Sequence, residues 1–249
     1  MLSAEAAALL RRARRDPGLV LLEGLHALKH AVRFGARPRA VVSPDPAALR
    51  TLLDRLAPDV AGTIGAVVVG VDDATWRGLT DGRPLPSPCL AVVDRPAVTG
   101  ADVLARPGRV LLLEAPRHLG NLGAVVRVAA AAELAGVLVA GGADPWHPTA
   151  VRAAAGLHLA TAVARTTTTA EVVAAVAAAG RPLVGLDPDG DPLDGTELGP
   201  DAVVALGTER GGLSPGLRAA AAALVAIPMR VGVSSLNLAT AAAVVAYRP

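Results

Sequence analysis

Three segments of this 249-residue chain concentrate the side chains able to do chemistry. In APRHLGNLGAVVR, residues 115–127, Asn121 sits where a helix should begin, and Arg127 follows on the same helix between Val126 and Val128. An amide there can cap the helix or face a ligand, and a guanidinium presents a planar fork of donors suited to phosphate. In LGTERGGLSPG, residues 206–216, Glu209 stands among Gly207, Gly211 and Gly212 on the loop after an apolar strand. Glycines let a ligand approach the backbone, and they also simply permit turns. In IPMRVGVSSLNLATAAAVVAYRP, residues 227–249, Ser234, Ser235 and Asn237 interrupt an apolar stretch just where a helix should start. Taken singly, each segment stays open between cap, turn and site.

Other chemistries fit the sequence poorly. The Asp-rich segment DPDGDPLDG, residues 187–195, lacks calcium-loop spacing: Pro192 stands at the turn-glycine position and Leu198 where a bidentate Glu is needed. It reads as a solvated loop. The five histidines are scattered, and no Cys/His spacing resembles a zinc site, so no metal is expected. No Walker A or G-x-G-x-x-G sequence follows a strand. Ser234 and Ser235 lack the flanking glycines of a nucleophile elbow and have no histidine close in sequence.

The elements that must position these residues form two series. The first has a helix from Ala4 to Arg15, a strand in LVLLEG, and a helix in LHALKHAVRFG closed by Gly35. Short strands follow in AVVS, GAVVVGV and CLAVV, with helices between the first two, which predicts a small α/β unit over residues 1–97. The Pro and Gly content of residues 98–108 reads as a linker. From 109 to 249, strands RVLLLEA, VLVAGG, TAVAR, PLVGLD, AVVALG and LVAIPM alternate with helical stretches, one of them opened by a Thr168/Glu171 capping box. Such alternation predicts a mostly parallel sheet with helices on both faces. Sheets of this kind bind ligands beyond the carboxyl ends of their strands, here the loops after Ala115, Ala140, Leu186, Leu206 and Met229.

Composition narrows the setting. No apolar run approaches the ~20 residues of a membrane helix, and Arg11, Arg12, Arg14 and Arg15 are not followed by the apolar segment of a secretory leader. One cysteine, Cys89, excludes an internal disulfide and suits a reducing compartment, so a cytoplasmic protein without a membrane partner is expected. Net charge is only +2, and Lys29 is the one lysine; the arginine bias suits phosphate, and a GC-rich genome also produces it. Residues 1–97 hold 13 Arg/Lys against 10 Asp/Glu, whereas 98–249 hold 11 against 12, so a nucleic-acid grip should lean on the first part.

Taken together and in this order, NLGAVVR, LGTERGGLSPGL and IPM…SSLNLATAAAVVAY resemble the three signature motifs of the SpoU (TrmH-type) branch of the SPOUT RNA methyltransferases. The resemblance spans roughly residues 109–248; the first part resembles the family's substrate-binding domain only through LLEGLHALKHAVRFG. It implies methyl transfer from S-adenosylmethionine to a ribose 2′-hydroxyl, a C-terminal trefoil knot and a homodimer. Ribosomal RNA is the preferred substrate, with tRNA the alternative, and a non-catalytic RNA-binding module that kept the fold is the rival outside enzymes. By the resemblance, backbone groups of Leu206, Gly207, Thr208 and Glu209, with Ile227, Met229, Ser235 and Leu236, hold the cofactor. The family's substrate-side Asn and Arg fall on Asn121 and Arg127, and its third-motif polar pair on Ser235 and Asn237. These four and Glu209 form the expected catalytic set.

Overall fold

The computed structural model describes residues 2–195, 197–208 and 211–248. Glu209, expected in both the catalytic and the cofactor set, lies outside them. The chain folds as two compact units, Met1–Ala97 with Ala155–Ala160, and Val98–Ala154 with Thr161–Pro249.

The first unit runs α1 (Ser3–Ala13), β1 (Leu19–Glu23), α2 (Leu25–Arg33), β2 (Ala40–Ser43), α3 (Pro46–Leu56), α4 (Pro58–Gly65), β3 (Val68–Gly70), α5 (Asp73–Thr80) and β4 (Leu90–Asp94). Its sheet has the order β1-β4-β2-β3, with β4 antiparallel to both neighbours and β2 parallel to β3. Helix α1 lays Ala6 and Leu10 on Leu21, Val42, Leu90 and Val92 of that sheet. The sequence gives little sign of α5, whose start is fixed by Asp72 accepting the Thr75 amide at 2.7 Å. Residues 155–160 join this unit through His30, whose Nδ1 lies 2.9 Å from the Ala155 carbonyl oxygen.

The second unit contains α6 (Gly100–Leu104), β5 (Val110–Glu114), α7 (Leu119–Ala131), β6 (Gly136–Ala140), α8 (Pro148–Ala153), β7 (Ala162–Thr166), α9 (Thr169–Ala178), β8 (Leu183–Pro192), β9 (Val203–Leu206), α10 (Pro215–Ala220), β10 (Ala223–Ala226) and α11 (Leu238–Ala246). Six strands form one sheet in the order β10-β8-β9-β5-β6-β7, every pairing parallel. Every residue of β5, β6 and β9 is buried, as strands covered on both faces require. This is the α/β architecture that the alternating pattern predicts. Helix α7 packs on both α8 and α11. Its contact with α8 is so close that a Cβ on Gly123 would lie 2.2 Å from the Ala150 carbonyl oxygen.

Residues 98–108 are not a loose connection. Thr99 and Asp102 form a reciprocal cap that starts α6, and Val103 and Leu104 are buried in the second unit. Arg181 donates from one guanidinium to the carbonyls of Leu104, Arg106, Gly108 and Asp201, which holds the segment down. The Pro/Gly composition marks a turn-rich path, but the apolar pair and the arginine decide its docking. Among the described residues no helix is long and apolar enough to cross a membrane.

Candidate active site

Strands β5, β6 and β7 step outward in one direction, and β9 then returns to the other flank of β5. A parallel sheet opens a crevice beyond its strand ends where the order reverses. The cavity here lies toward the carboxyl ends on the returning side, walled by residues 186–189 of β8 and by the segments that follow β9 and β10. Its volume of about 500 Å³ falls within the roughly 300–1,000 Å³ of small-molecule sites.

The floor comes from the end of β9. Leu206 is buried, and Gly207 lies so close to the returning loop that a Cβ there would sit 2.0 Å from the Gly212 carbonyl carbon. Thr208 and Gly212 then exchange backbone hydrogen bonds of 2.9 and 3.1 Å, and the Gly211 amide donates to Thr208 Oγ1 at 2.9 Å. The glycines of this loop therefore do steric work. Beneath it, the Glu114 carboxylate at the end of β5 accepts from the Ser214 amide and from Thr169 Oγ1, each at 2.8 Å. Ser214 in turn caps α10, so the buried Glu114 fixes the base from which the glycine loop rises.

After β10, Pro228 stops the strand, and an irregular segment carries Ser234, Ser235 and Leu236 along the cavity wall before α11 begins. Asn237 performs two tasks. Its Oδ1 accepts from the Ala239 and Thr240 amides at 2.9 and 3.4 Å, capping α11. Its Nδ2 donates to Asn121 Oδ1 at 3.0 Å, tying the start of α11 to the first turn of α7. Asn121 itself is not the cap of α7, whose N-cap is His118. Its amide is consequently available to the partner helix.

The residues singled out in the sequence are distributed as follows. Leu206, Gly207, Thr208, Ile227, Met229, Ser235 and Leu236 all line the one cavity. Asn121 and Asn237 meet through their amides. Arg127 is exposed on α7 and is not among the lining residues. Sequence reasoning missed Asp187, Asp189 and Arg218, which also line the cavity. The Asp-rich segment is solvated only in part: Asp187 is 3% exposed, with Arg218 Nη1 2.7 Å from its Oδ2. The available signal was its place directly after the apolar run PLVGL, a position already marked as a ligand-facing loop.

A parallel α/β sheet with a small-molecule cavity at its strand ends, edged by a paired set of amides, defines an enzyme-like ligand-binding domain. Comparison with known proteins narrows the class. The sequence profile of the SpoU rRNA Methylase family matches residues 108–247. The 23S rRNA (uridine(2479)-2′-O)-methyltransferase of Streptomyces viridochromogenes is 29% identical over 95% of this chain and 84% of its own length. The 23S rRNA (adenosine(1067)-2′-O)-methyltransferase of Streptomyces azureus is 30% identical over 88% of this chain and 81% of its own. The crystal structure of the SpoU methyltransferase AviRb from S. viridochromogenes in complex with AdoMet superposes with a TM-score of 0.79 at 29% identity, covering 98% of this chain and 94% of that one. This chain belongs to the SpoU rRNA methylase family.

Proposed function

We propose that this protein is an S-adenosylmethionine-dependent RNA methyltransferase acting on a ribose 2′-hydroxyl of ribosomal RNA in the cytoplasm. The observation that carries this reading is the convergence of seven described motif residues, separated by up to thirty positions in sequence, on one cavity of suitable size. The cavity suits the cofactor chemically as well. Leu206, Ile227, Met229, Leu236 and Leu238 supply apolar wall for a flat base, and glycine backbone at 207, 211 and 212 leaves close approach open. The exposed carboxylate of Asp189 stands on the wall that a cationic ligand would face.

When bound, the cofactor supplies a methyl already activated on a sulfonium, so a C–O bond forms as the C–S bond breaks and a neutral thioether leaves. The protein's part is then alignment and exclusion of water. The glycine loop and the segment 227–236 hold the donor. The Asn121–Asn237 pair stands where two helix starts converge and orients the ribose. Arg127 anchors an RNA phosphate and stabilises charge developing on the attacking oxygen. A guanidinium keeps its protons in proteins, so the hydroxyl proton passes to water or to an RNA phosphate rather than to Arg127.

The C-terminal segment supports a homodimer and a trefoil knot. Val231 is 99% exposed and Tyr247 66%, with Val233, Leu236 and Val244 also open, an apolar set suited to a second copy. Helix α11 follows the edge strand β10 yet packs back on α7, the return path a knotted end needs. In the first unit, Arg11, Arg15, Arg37, Arg50 and Arg55 are exposed and have no ion-pair partner among the described residues, which leaves them for phosphate. Titration calorimetry with S-adenosylmethionine tests the reading. Saturable binding is expected, and no binding at millimolar ligand sinks it.

A further inference from the structure

Among the described residues, two acids and one base line the cavity: Asp187, Asp189 and Arg218. Along the edge of the sheet, β10 pairs with Gly185 of β8 and then jumps to Asp191, so residues 186–190 bulge out of register. The bulge places Leu186, Asp187, Pro188 and Asp189 on the cavity. Both oxygens of Asp187 are engaged: Oδ1 accepts from the Asp189 amide at 3.0 Å and Oδ2 from Arg218 Nη1 at 2.7 Å. Asp187 and Arg218 thus neutralise each other as a hydrogen-bonded pair, the acid buried and the base 40% exposed. Asp189 Oδ2 lies 3.5 Å from Arg218 Nη2 and is 80% exposed, so Arg218 serves two carboxylates and one negative charge is left over.

We propose that Asp187, Arg218 and Asp189 make this cavity selective for ligand charge, the surplus carboxylate of Asp189 favouring the cationic methyl donor over the neutral thioether left after transfer. The inference rests on the S-adenosylmethionine reading above. Donor and product share their base, sugar and amino-acid groups and differ by the methyl and the sulfonium charge. A hydrogen bond from either aspartate to a shared group holds both ligands alike. Only a through-space effect separates them, and it strengthens as the ligand displaces water and lowers the local dielectric. Two unit charges ~8 Å apart at an intermediate effective dielectric of ~40 give a preference of about fivefold. Such a preference speeds release of spent product at no cost to donor capture.

The test is calorimetry with S-adenosylmethionine and S-adenosylhomocysteine on the full chain and two variants. Asp189→Asn changes an exposed side chain and should lower the ratio of product Kd to donor Kd by about threefold to tenfold. Arg218→Gln removes the compensating cation and should raise the same ratio. Shifts of opposite sign are not produced by general loosening of the site. The difference should also shrink as salt is added. An Asp189→Asn protein that weakens both ligands equally, or neither, overturns the proposal, because the carboxylate then contacts only shared groups or none. Failure of the unaltered protein to bind either ligand is a separate result, which removes the cofactor reading and this proposal with it.

Discussion

Substitutions at Asn237 separate the two tasks its single amide performs. Serine keeps an oxygen that can cap α11 but is too short to reach Asn121, while alanine loses both the cap and the bridge. Loss of an N-cap costs about 1 kcal/mol, and the exposed amide–amide bond adds no more than about 1 kcal/mol. In a chain of this size, each 1 kcal/mol moves a melting midpoint by roughly 2–4 °C. Asn237→Ala should therefore melt about 2–8 °C lower, combining those two estimates, and Asn237→Ser within about 4 °C of the parent. Methyl transfer should fall in both, because the bridge positions Asn121. A misplacement of ~1 Å at a reacting centre can cost up to about 100-fold, and a drop of tenfold or more is expected here. Differential scanning calorimetry and tritium transfer from labelled S-adenosylmethionine to deproteinised ribosomal RNA measure the two quantities. A serine variant with full turnover refutes the reasoning, since Asn237 would then be a cap and nothing more.

Four further outcomes follow from particular residues. Arg127→Ala should abolish transfer, as its proposed role at the reacting oxygen and phosphate requires, yet leave cofactor affinity within about threefold by calorimetry, since this exposed arginine is not part of the cavity wall. Gly207→Ala should weaken cofactor binding by tenfold or more, because a Cβ 2.0 Å from Gly212 forces the loop apart; binding at parental affinity would show that the loop adapts. Burial pushes the Cys89 thiol up to about 12 from 9.0, so native protein should resist an aromatic disulfide reagent at pH 8 until it unfolds. The sign for stability follows from the same shift. The unfolded thiol ionises near 9.0 while the folded one stays neutral, so stability is intact below that pH and declines toward 12. Urea midpoints across that range should decline less in Cys89→Ala.

How far the fold could be read from the sequence depended on burial. Strands such as VLLLE and GVLVA are buried at every position and almost wholly apolar because both faces are covered, so a parallel sheet was legible from such runs alternating with helical stretches. The Thr168/Glu171 cap was legible because a capping box is local chemistry, and Glu171 N indeed donates to Thr168 Oγ1 at 3.2 Å. Residues 98–108 misled because Pro and Gly report flexibility of the isolated chain, whereas Arg181, distant in sequence, supplies the donors that hold the segment. The strand-end rule pointed to the loops after Leu186, Leu206 and Met229, but their meeting in one cavity, and the individual lining residues, were legible only through motif resemblance, since nothing in periodicity links position 206 to position 235. The Asn121–Asn237 bond was beyond reach for the same reason: it joins residues 116 positions apart. Asp187 was passed over because an Asp/Pro/Gly run looks solvated, and only its place in β8 and its pairing with Arg218 make it a buried acid.

Methylation of RNA at ribose leaves 2′-O-methyl groups that can be mapped nucleotide by nucleotide. Ribosomal RNA lacking the modification is incubated with the protein and S-adenosylmethionine, and backbone resistance to alkaline cleavage is read at every nucleotide. Protection at a discrete ribose, lost with Arg127→Ala, is the result predicted. Methyl groups on bases, or no transfer from a cofactor that binds, would contradict it.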